Sequence, residues 1–318
     1  MPNEVILYYK FTHVANVAAF RDAHQQKCSE LNLKGRVYIA DEGINGTLAG
    51  SAENTALYRS YLRAQPGFAD IQFKTDACEQ IPFAKLKTKV RPFILNMGFE
   101  KGQDVDPSQT TATHLSPDQW RQVLETEKDF VLLDVRNNYE SAIGHFEDAI
   151  CPDLADFKKF PAWADELKEK YSDKKILMYC TGGIRCEKFS SLLLAKGMQN
   201  IFQLDGGILN YAKKEEGAHF AGRCFVFDDR LAVDIAKNTA PLTTCKHCGS
   251  AEDRYVNCAN MDCNQLFIIC DSCAQIHAGT CSRACQSAKN CRPFDPEHFR
   301  IPFRKKGIVF PELGRQQK

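Results

Sequence analysis

A cysteine, two glycines and an arginine stand together where an apolar segment gives way to a helical pattern, in ILMYCTGGIRC at residues 176–186. Cys180 ends the apolar run, and the reactive crevice of an open parallel sheet lies beyond the carboxyl ends of its strands. The glycines allow successive backbone amides to converge on an anion, close to the positive end of the following helix and to Arg185. The residues of this predicted anion-binding loop are Thr181, Gly182, Gly183 and Ile184. Cys180 is therefore predicted to be a thiolate nucleophile, with a pKa below the ordinary value of about 8.5.

Other interpretations of this region stay open. Cys180 could be a small buried apolar side chain. Cys186 could resolve an oxidised Cys180, or it could only pack in the first helical turn. Asp134 and Arg136 in LLDVR are interpreted as an ion pair that fixes the sheet to its loops rather than as catalytic groups.

The second group of reactive residues is a dense run of cysteines near the C-terminal end. The chain has fifteen cysteines, and eight of them lie within residues 245–285. C-x2-C pairs present two sulfurs to one Zn²⁺ from a single turn, so the pattern predicts up to two structural zinc ions, which would supply folding free energy to a segment poor in apolar residues. The predicted interleaved sets are Cys245, Cys248, Cys270 and Cys273 for one ion, and Cys258, Cys263, Cys281 and Cys285 for the other. His247 and His277 are alternative ligands.

The elements that carry these groups indicate an α/β protein of several domains. The first hundred residues predict the order β-α-β-β-α-β, which is typical of a ferredoxin-like α+β domain, followed by one further strand. Short apolar strands alternate with helices after a capping sequence at Ser116, and they predict a parallel sheet covered on both faces. The predicted divisions are residues 1–100, a linker at 101–114, a catalytic domain at 115–221, and a Cys-rich basic region at 222–318.

Basic residues predict contact with RNA at two places. Lys85, Lys87, Lys89 and Arg91 alternate along an extended segment, so they share one face and could follow phosphates, or they could protect a solvated edge strand. In FRIPFRKKG, the cations Arg300, Arg304, Lys305 and Lys306 stand among aromatic residues, as in single-strand binders, although solvated terminal charge explains them equally well.

The stretch DEGINGT, residues 41–47, has two interpretations. Its glycines around Asn45 predict a tight turn between strands. Alternatively, Asp41, Glu42 and Asn45 lie beside the cysteine loop and read the edge of a base.

The overall composition is that of a globular protein. The formal net charge is +1, which neither requires nor excludes a nucleic acid. No run of eighteen apolar residues and no secretory pattern is present, so we expect a cytoplasmic protein without a membrane partner.

The central motifs resemble the rhodanese superfamily, whose active-site loop carries a cysteine that forms a persulfide. The resemblance rests on the Cys180 loop, on LLDVRNNYESAIGHFEDAI and on QLDGGILNY, and it spans roughly residues 115–214. The shorter Cys-x4-Arg loop suits sulfur chemistry better than the Cys-x5-Arg loop of related phosphatases. The resemblance implies a rhodanese-like parallel sheet for the central domain.

Together with DEGINGTLAG and the Cys-rich segment, the whole chain resembles the bacterial tRNA uridine hydroxylase family. The resemblance implies oxygen-dependent 5-hydroxylation of the wobble uridine of tRNA, a loop cysteine that is required, molecular oxygen as co-substrate, and the anticodon stem-loop rather than DNA as partner. The sequence identifies no electron donor. The competing functions are a rhodanese-type sulfurtransferase and a non-catalytic RNA-binding module.

Overall fold

The computed structural model describes residues 2–100, 102–237 and 239–303. The N-terminal domain has the predicted ferredoxin-like order, with a fifth strand added at one edge. Its sheet order is β4-β1-β3-β2-β5, antiparallel except for the β2–β5 pair. Its elements are β1 Asn3–Phe11, α1 Val17–Glu30, β2 Lys34–Ala40, β3 Gly43–Ser51, α2 Ala52–Arg63, β4 Phe73–Cys78 and β5 Leu86–Val90.

The two faces of this sheet differ because side chains alternate along each strand. One face is apolar and packs against α1 and α2. Its buried residues include Ile6, Tyr8, Val37, Ile39, Ile44 and Leu48. The other face carries a mixture of aromatic, polar and basic side chains. These include Leu7, Tyr9, Arg36, Tyr38, Asn45, Thr47 and Lys74.

The prediction of a tight turn around Asn45 is wrong. Ala40 pairs with Gly43, so the two-residue hairpin loop is Asp41–Glu42 and Asn45 lies inside β3. Glycine is needed at position 43 because its φ is +139° and a Cβ there would lie 2.0 Å from the carbonyl oxygen of Lys10. The glycine therefore allows close strand approach rather than chain reversal.

The central domain is built on the predicted parallel sheet, in the order β6-β10-β9-β7. Its elements are β6 Thr113–Leu115, α3 Pro117–Thr126, β7 Phe130–Asp134, α4 Asn138–Ser141, β8 Gly144–Phe146, a short 3-10 helix Phe157–Lys159, α5 Phe160–Tyr171, β9 Lys175–Tyr179, α6 Ile184–Ala195, β10 Ile201–Leu204 and α7 Gly207–Glu215. The predicted capping box of α3 is present between Ser116 and Gln119. Beyond β8, Ile150 forms an isolated parallel bridge to Leu133.

Asp134 and Arg136 form the ion pair expected from the sequence. Both side chains are fully buried, and Arg136 Nη2 lies 2.5 Å from Asp134 Oδ2 and 2.6 Å from the carbonyl oxygen of Gly144. The pair thus joins the carboxyl end of β7 to the start of β8.

The C-terminal region is attached to the central domain by strand pairing as well as by packing. Its elements are β11 Phe220–Phe225, β12 Ala232–Asp234, β13 Tyr255–Asn257, β14 Leu266–Ile268, α8 Asp271–Ile276 and α9 Arg283–Gln286. β11 pairs with β8, so the predicted division at residue 222 falls within a strand that both parts share. The Tyr255 hydroxyl also donates to the carbonyl oxygen of Tyr139 at 3.0 Å. Within the described ranges, no helix has the length and apolarity needed to cross a bilayer.

Candidate active site

The Cys180 sulfur lies immediately beyond β9, in a loop that turns directly into α6. Gly183 adopts φ = +105° and donates its backbone N–H to Cys180 Sγ at 3.1 Å. Burial raises the pKa of Cys180, but hydrogen bonds from the Cys186 thiol and from the amides of Cys186 and Gly183, together with the charge of Arg185, outweigh burial and hold this pKa at about 5. The geometry is therefore that of a stabilised thiolate.

Cys186 has a donor role that was not predicted from the sequence. Its side chain is fully buried, and burial together with the hydrogen bond to Cys180 raises its own pKa well above the ordinary thiol value. Cys186 therefore stays protonated and donates S–H to the neighbouring thiolate. Of the four predicted loop residues, Gly183 supplies an amide to the sulfur, while Thr181, Gly182 and Ile184 line the cleft around it.

The Arg185 guanidinium forms an ion pair with the carboxylate of Glu140 and does not project freely into the cleft. Its two terminal nitrogens contact the two carboxylate oxygens of fully buried Glu140, one of them at 2.8 Å, and Nη2 lies 3.2 Å from Thr181 Oγ1. Arg185 thus positions the loop and acts on the sulfur through its charge. Glu140 was missed at the sequence level, although it lies within the LLDVRNNYESAIGHFEDAI motif.

The QLDGG motif supports the loop from the other side. The amides of Ile208 and Leu209, at the start of α7, donate to the carbonyl oxygens of Cys180 and Thr181 at 3.0 and 3.2 Å. A Cβ at Gly207 would lie 2.5 Å from the Cys180 carbonyl oxygen. The glycine therefore lets the backbone of α7 approach the loop closely.

The mixed face of the N-terminal sheet covers this loop and forms a cleft with it. The cleft has a volume of about 630 Å³, and Cys180 and Arg185 share its lining with the sheet and with residues 226–235. A Cβ at Gly182 would lie 2.5 Å from Leu7 Cδ2, and one at Gly183 would lie 2.6 Å from the Tyr9 hydroxyl. Two domains therefore form the site together. The sequence indicated this only through the alternative interpretation that places Asn45 beside the cysteine loop, and the contacts of Leu7 and Tyr9 with the loop were not predicted.

The first turns of α6 bind the N-terminal domain through two charged residues. Glu187 is nearly buried, and it accepts the Tyr9 hydroxyl at 3.0 Å. Its other partners are Thr111 at 2.7 Å, His114 at 3.0 Å and Gln203 at 3.0 Å. Burial raises the pKa of Glu187, but these hydrogen bonds outweigh it, so the pKa lies below its ordinary value.

Lys188, the next residue, is fully buried and forms ion pairs with Glu42 at 3.1 Å and with Asp104. Glu42 also accepts the amide of Ile94 at 2.7 Å, and Asn45 donates to the carbonyl oxygen of Ile94 at 3.1 Å. Asn45 lines the cleft, as the base-reading interpretation requires, but this hydrogen bond occupies its amide group.

Two residues of the predicted basic row, Lys87 and Lys89, lie on the edge strand β5, and Lys85 and Arg91 flank this strand. Lys87 is paired with Arg36 and Lys89 with Tyr38, so both lysine side chains project from the face that lines the cleft. Lys85 and Arg91 are exposed as well. These basic residues thus extend the cleft-lining face of the N-terminal sheet to the edge of the sheet.

The second basic segment is only partly described. Arg300 pairs with Asp271 at 2.6 Å and lies over the Phe299 ring. Arg304, Lys305 and Lys306 lie outside the described residues.

The eight C-terminal cysteines form two groups of four sulfurs with the membership of the predicted interleaved sets. Within each group all sulfur atoms lie within 4.8 Å of one another. Cys248 and Cys270 are 3.7 Å apart, as are Cys263 and Cys281. Four sulfurs at about 2.3 Å from a tetrahedral Zn²⁺ are separated by about 3.8 Å, so both groups fit this ion. The groups are therefore capable of holding metal.

The two histidines beside the first group are engaged elsewhere. The rings of His247 and His277 stack with centroids 3.9 Å apart, and His247 Nε2 lies 2.9 Å from the carbonyl oxygen of Thr280. Neither histidine belongs to a sulfur group.

Family models of known proteins match three successive parts of the chain, which correspond to its N-terminal, central and C-terminal regions. Residues 3–94 match a family model described as UPF0176 acylphosphatase like domain, and residues 116–214 match one described as rhodanese-like domain. A third model, described as rhodanase C-terminal, matches residues 221–286. The solution structure of the rhodanese-like domain of an Anabaena protein has 22% sequence identity and a TM-score of 0.30, and the match covers 35% of this chain and 80% of that one.

Relatives that align over nearly the whole chain decide the family. A protein of Protochlamydia amoebophila named tRNA uridine(34) hydroxylase is 39% identical over 97% of this chain and 96% of its own length. Proteins with the same name from Cytophaga hutchinsonii and Chlamydia caviae are each 41% identical, over 92% and 94% of this chain and 92% and 90% of their own lengths. The chain belongs to the tRNA uridine(34) hydroxylase family.

Proposed function

We propose that the protein hydroxylates carbon 5 of uridine 34 in tRNA and that Cys180 is the nucleophile. The observation that carries this proposal is a thiolate of pKa about 5 in a two-domain cleft of about 630 Å³. A cleft of this volume falls within the range of small-ligand sites, so it has room for one flipped-out nucleotide. The relatives' name supplies the substrate and the position of the base.

The thiolate overcomes the weak nucleophilicity of carbon 5 of uracil. Addition of Cys180 Sγ to carbon 6 makes a C–S bond and leaves an enolate across carbon 5, carbon 4 and O4. Carbon 5 then attacks an oxygen at the oxidation level of peroxide, and the O–O bond breaks. Loss of the carbon 5 proton and cleavage of the C–S bond release 5-hydroxyuridine and the thiolate. Molecular oxygen with two electrons and two protons from an external reductant supplies this oxidant, and water is the second product.

The residues around Cys180 suit both halves of this cycle. The Gly183 and Cys186 amides keep the sulfur ionised before addition and stabilise it again as the leaving group. The Arg185–Glu140 pair fixes the loop without blocking the sulfur.

We infer that the RNA partner is the anticodon stem-loop, with its backbone along β5. Lys87 and Lys89 project from the face that leads into the cleft, Lys85 and Arg91 are exposed on either side of β5, and such a row can neutralise successive phosphates. A tRNA substrate implies that the reaction takes place in the cytoplasm.

The two sulfur groups are proposed to hold structural Zn²⁺. All four protein ligands of each group are thiolates, and four thiolates complete a tetrahedral shell without a position for substrate. The ions would fix the C-terminal region, and the chemistry stays with Cys180.

Nucleoside mass spectrometry of tRNA tests the proposal. Cells lacking the gene should lose 5-hydroxyuridine-derived nucleosides, the wild-type gene should restore them, and Cys180→Ser should not. Cys78→Ser, a change at the end of edge strand β4, is the matched control and should restore them. Two results together would favour the sulfurtransferase function. The deletion strain would keep its 5-hydroxyuridine-derived nucleosides, and the purified protein would transfer sulfur from thiosulfate.

The covalent step has its own test. An anticodon stem-loop with 5-fluorouridine at position 34 carries fluorine where the normal substrate loses a proton. The adduct should persist after oxygenation and be visible by intact-protein mass spectrometry. Turnover of the normal stem-loop without any such adduct would exclude addition at carbon 6.

A further inference from the structure

Lys74 is a cleft residue with no role in the mechanism above. It lies on β4 with its Cα opposite that of Leu7 on β1, so the two side chains project from the same face of the sheet. Leu7 in turn contacts Gly182 of the cysteine loop. Lys74 therefore faces the loop, and it shares the lining of the cleft with Cys180.

The ammonium group of Lys74 has donors available to a ligand. Its Nζ lies 4.5 Å from the centroid of the Tyr9 ring, and within the described ranges no carboxylate forms an ion pair with it. Burial lowers the pKa of Lys74 below its ordinary value, although the charges of Asp205, Cys180 and Glu187 act in the opposite direction. Arg185 and Arg230 also line the cleft, but both are bound to carboxylates, so Lys74 differs from them.

We propose that Lys74 donates a hydrogen bond to O4 of the target base and thereby selects uridine over cytidine. The inference rests on the proposed function, because it takes the base to be the one that Cys180 attacks. An ammonium has three donors and no acceptor. It therefore pairs with O4 of uracil and opposes the N4 amino group of cytosine, which is also a donor. The same contact stabilises the negative charge that O4 gains when Cys180 adds to carbon 6.

Binding to a protein that cannot react isolates base reading from catalysis. In the Cys180→Ser background, affinities are measured for two anticodon stem-loops that differ only in having U or C at position 34. Lys74→Met should weaken binding of the U34 stem-loop by about tenfold and of the C34 stem-loop by less than about twofold, since one charge-assisted hydrogen bond is lost only with uracil. Lys74→Arg keeps the donors and should preserve the preference for U34.

Lys213→Met is the matched control. Lys213 lines the cleft from α7 and is exposed, so its loss should weaken both stem-loops equally by removing general attraction to phosphate. Each variant is measured with both stem-loops in the same protein preparation. A partly folded variant therefore does not change the ratio of its affinities for the U34 and C34 stem-loops.

The outcomes separate the two proposals. If Lys74→Met weakens binding of both stem-loops equally, Lys74 contacts the phosphate backbone and not O4 of the base. That result would overturn the proposed hydrogen bond to O4 and leave the hydroxylase proposal intact. A wild-type protein that forms no 5-hydroxyuridine would overturn the proposed function itself, and failure of the Cys180→Ser protein to bind either stem-loop would overturn both.

Discussion

The Cys180 loop and the C-terminal sulfur groups use the same side chain in opposite ways. Cys180 is one sulfur surrounded by donors, namely two amides, the Cys186 thiol and the nearby charge of Arg185. In the C-terminal groups, sulfurs face other sulfurs at 3.7 Å. A lone anion among donors is stable and reactive, whereas four mutually repelling thiolates become stable by sharing a cation. The surroundings of a cysteine, more than its exposure, determine its chemistry.

Removal of one of the proposed zinc ligands should have the largest effect on this contrast between the two kinds of cysteine. Cys258→Ser removes a buried sulfur of the second group, and structural zinc contributes on the order of 10 kcal/mol in small domains. We expect metal analysis to fall from two zinc ions per chain to one, with proteolysis increasing within residues 239–303. Cys291→Ser is the control, because Cys291 lies beside the second group without belonging to it. Two ions retained by Cys258→Ser would contradict the assignment.

Alkylation across a pH range should separate Cys180 from ordinary cysteines. With a pKa of about 5, Cys180 is almost fully thiolate at pH 7, so its rate should be constant above pH 6 and fall as protonation sets in near pH 5. Burial raises the pKa of Cys78, so that residue should react only under alkaline conditions. The measurement is peptide mass spectrometry after brief iodoacetamide treatment at each pH.

Cys78 also controls for access. It is more exposed than Cys180, so access alone predicts that Cys78 reacts first. A rate for Cys180 that keeps rising up to pH 8.5 would remove the distinction between the two kinds of cysteine.

Gly183→Ala tests whether the loop needs glycine for its conformation or for contact between domains. Both Gly183 and Gly197 have positive φ, but a Cβ at Gly197 meets nothing within 4 Å, whereas one at Gly183 would lie 2.6 Å from the Tyr9 hydroxyl. Gly197→Ala should lower the free energy of unfolding by about 1 kcal/mol through strain alone. Gly183→Ala should lower it by about 2–3 kcal/mol, since displacement of Tyr9 adds a lost hydrogen bond. Denaturant unfolding of both variants provides the measurement, and equal losses would mean that the domain contact contributes nothing.

The sequence predicted the features that depend on local pattern. Strand and helix order in the first hundred residues and the capping box at Ser116 could be predicted because alternation and capping act over a few residues. The short spacing between cysteines indicated metal binding, whereas the division into two sets joins pairs from distant segments, which local spacing does not determine. The order of the parallel strands β6, β10, β9 and β7 was not predicted, because it depends on long-range packing.

The composite nature of the site was only one of two interpretations of DEGINGT, and the side chains that contact the cysteine loop were not predicted. Tyr9, Lys74 and Glu187 lie far apart in sequence, and residues 5–9 of β1 form a continuous apolar and aromatic run, so nothing local shows that one face of the strand meets the cysteine loop. The same limit explains the error at Asn45. Gly43 resembles a turn residue, but it is required by close approach to Lys10, a residue distant in the chain.

The smallest effect is expected from the single hydrogen bond that joins Tyr9 to Glu187. Tyr9→Phe removes the donor and leaves the ring, while Glu187 keeps its bonds from Thr111, His114 and Gln203. We therefore expect a loss of only about 1 kcal/mol in the free energy of unfolding. The control is Tyr61→Phe, on the helix-covered side of the same domain. This change should alter the free energy of unfolding by less than about 0.5 kcal/mol.

A double-mutant cycle of Tyr9→Phe with Glu187→Gln isolates this bond from the rest of the Glu187 network. A coupling energy of about 1 kcal/mol would show that the N-terminal sheet is held to α6 at the mouth of the cysteine loop. If the losses in free energy of unfolding of the two single variants simply add, the hydrogen bond contributes nothing. The position of the sheet then depends on the Lys188 ion pairs and on packing of Leu7 against Gly182. In that case Cys180 would keep its own donors, and only the wall of the cleft opposite it would become less rigid, which would reduce binding of RNA rather than ionisation of the thiol.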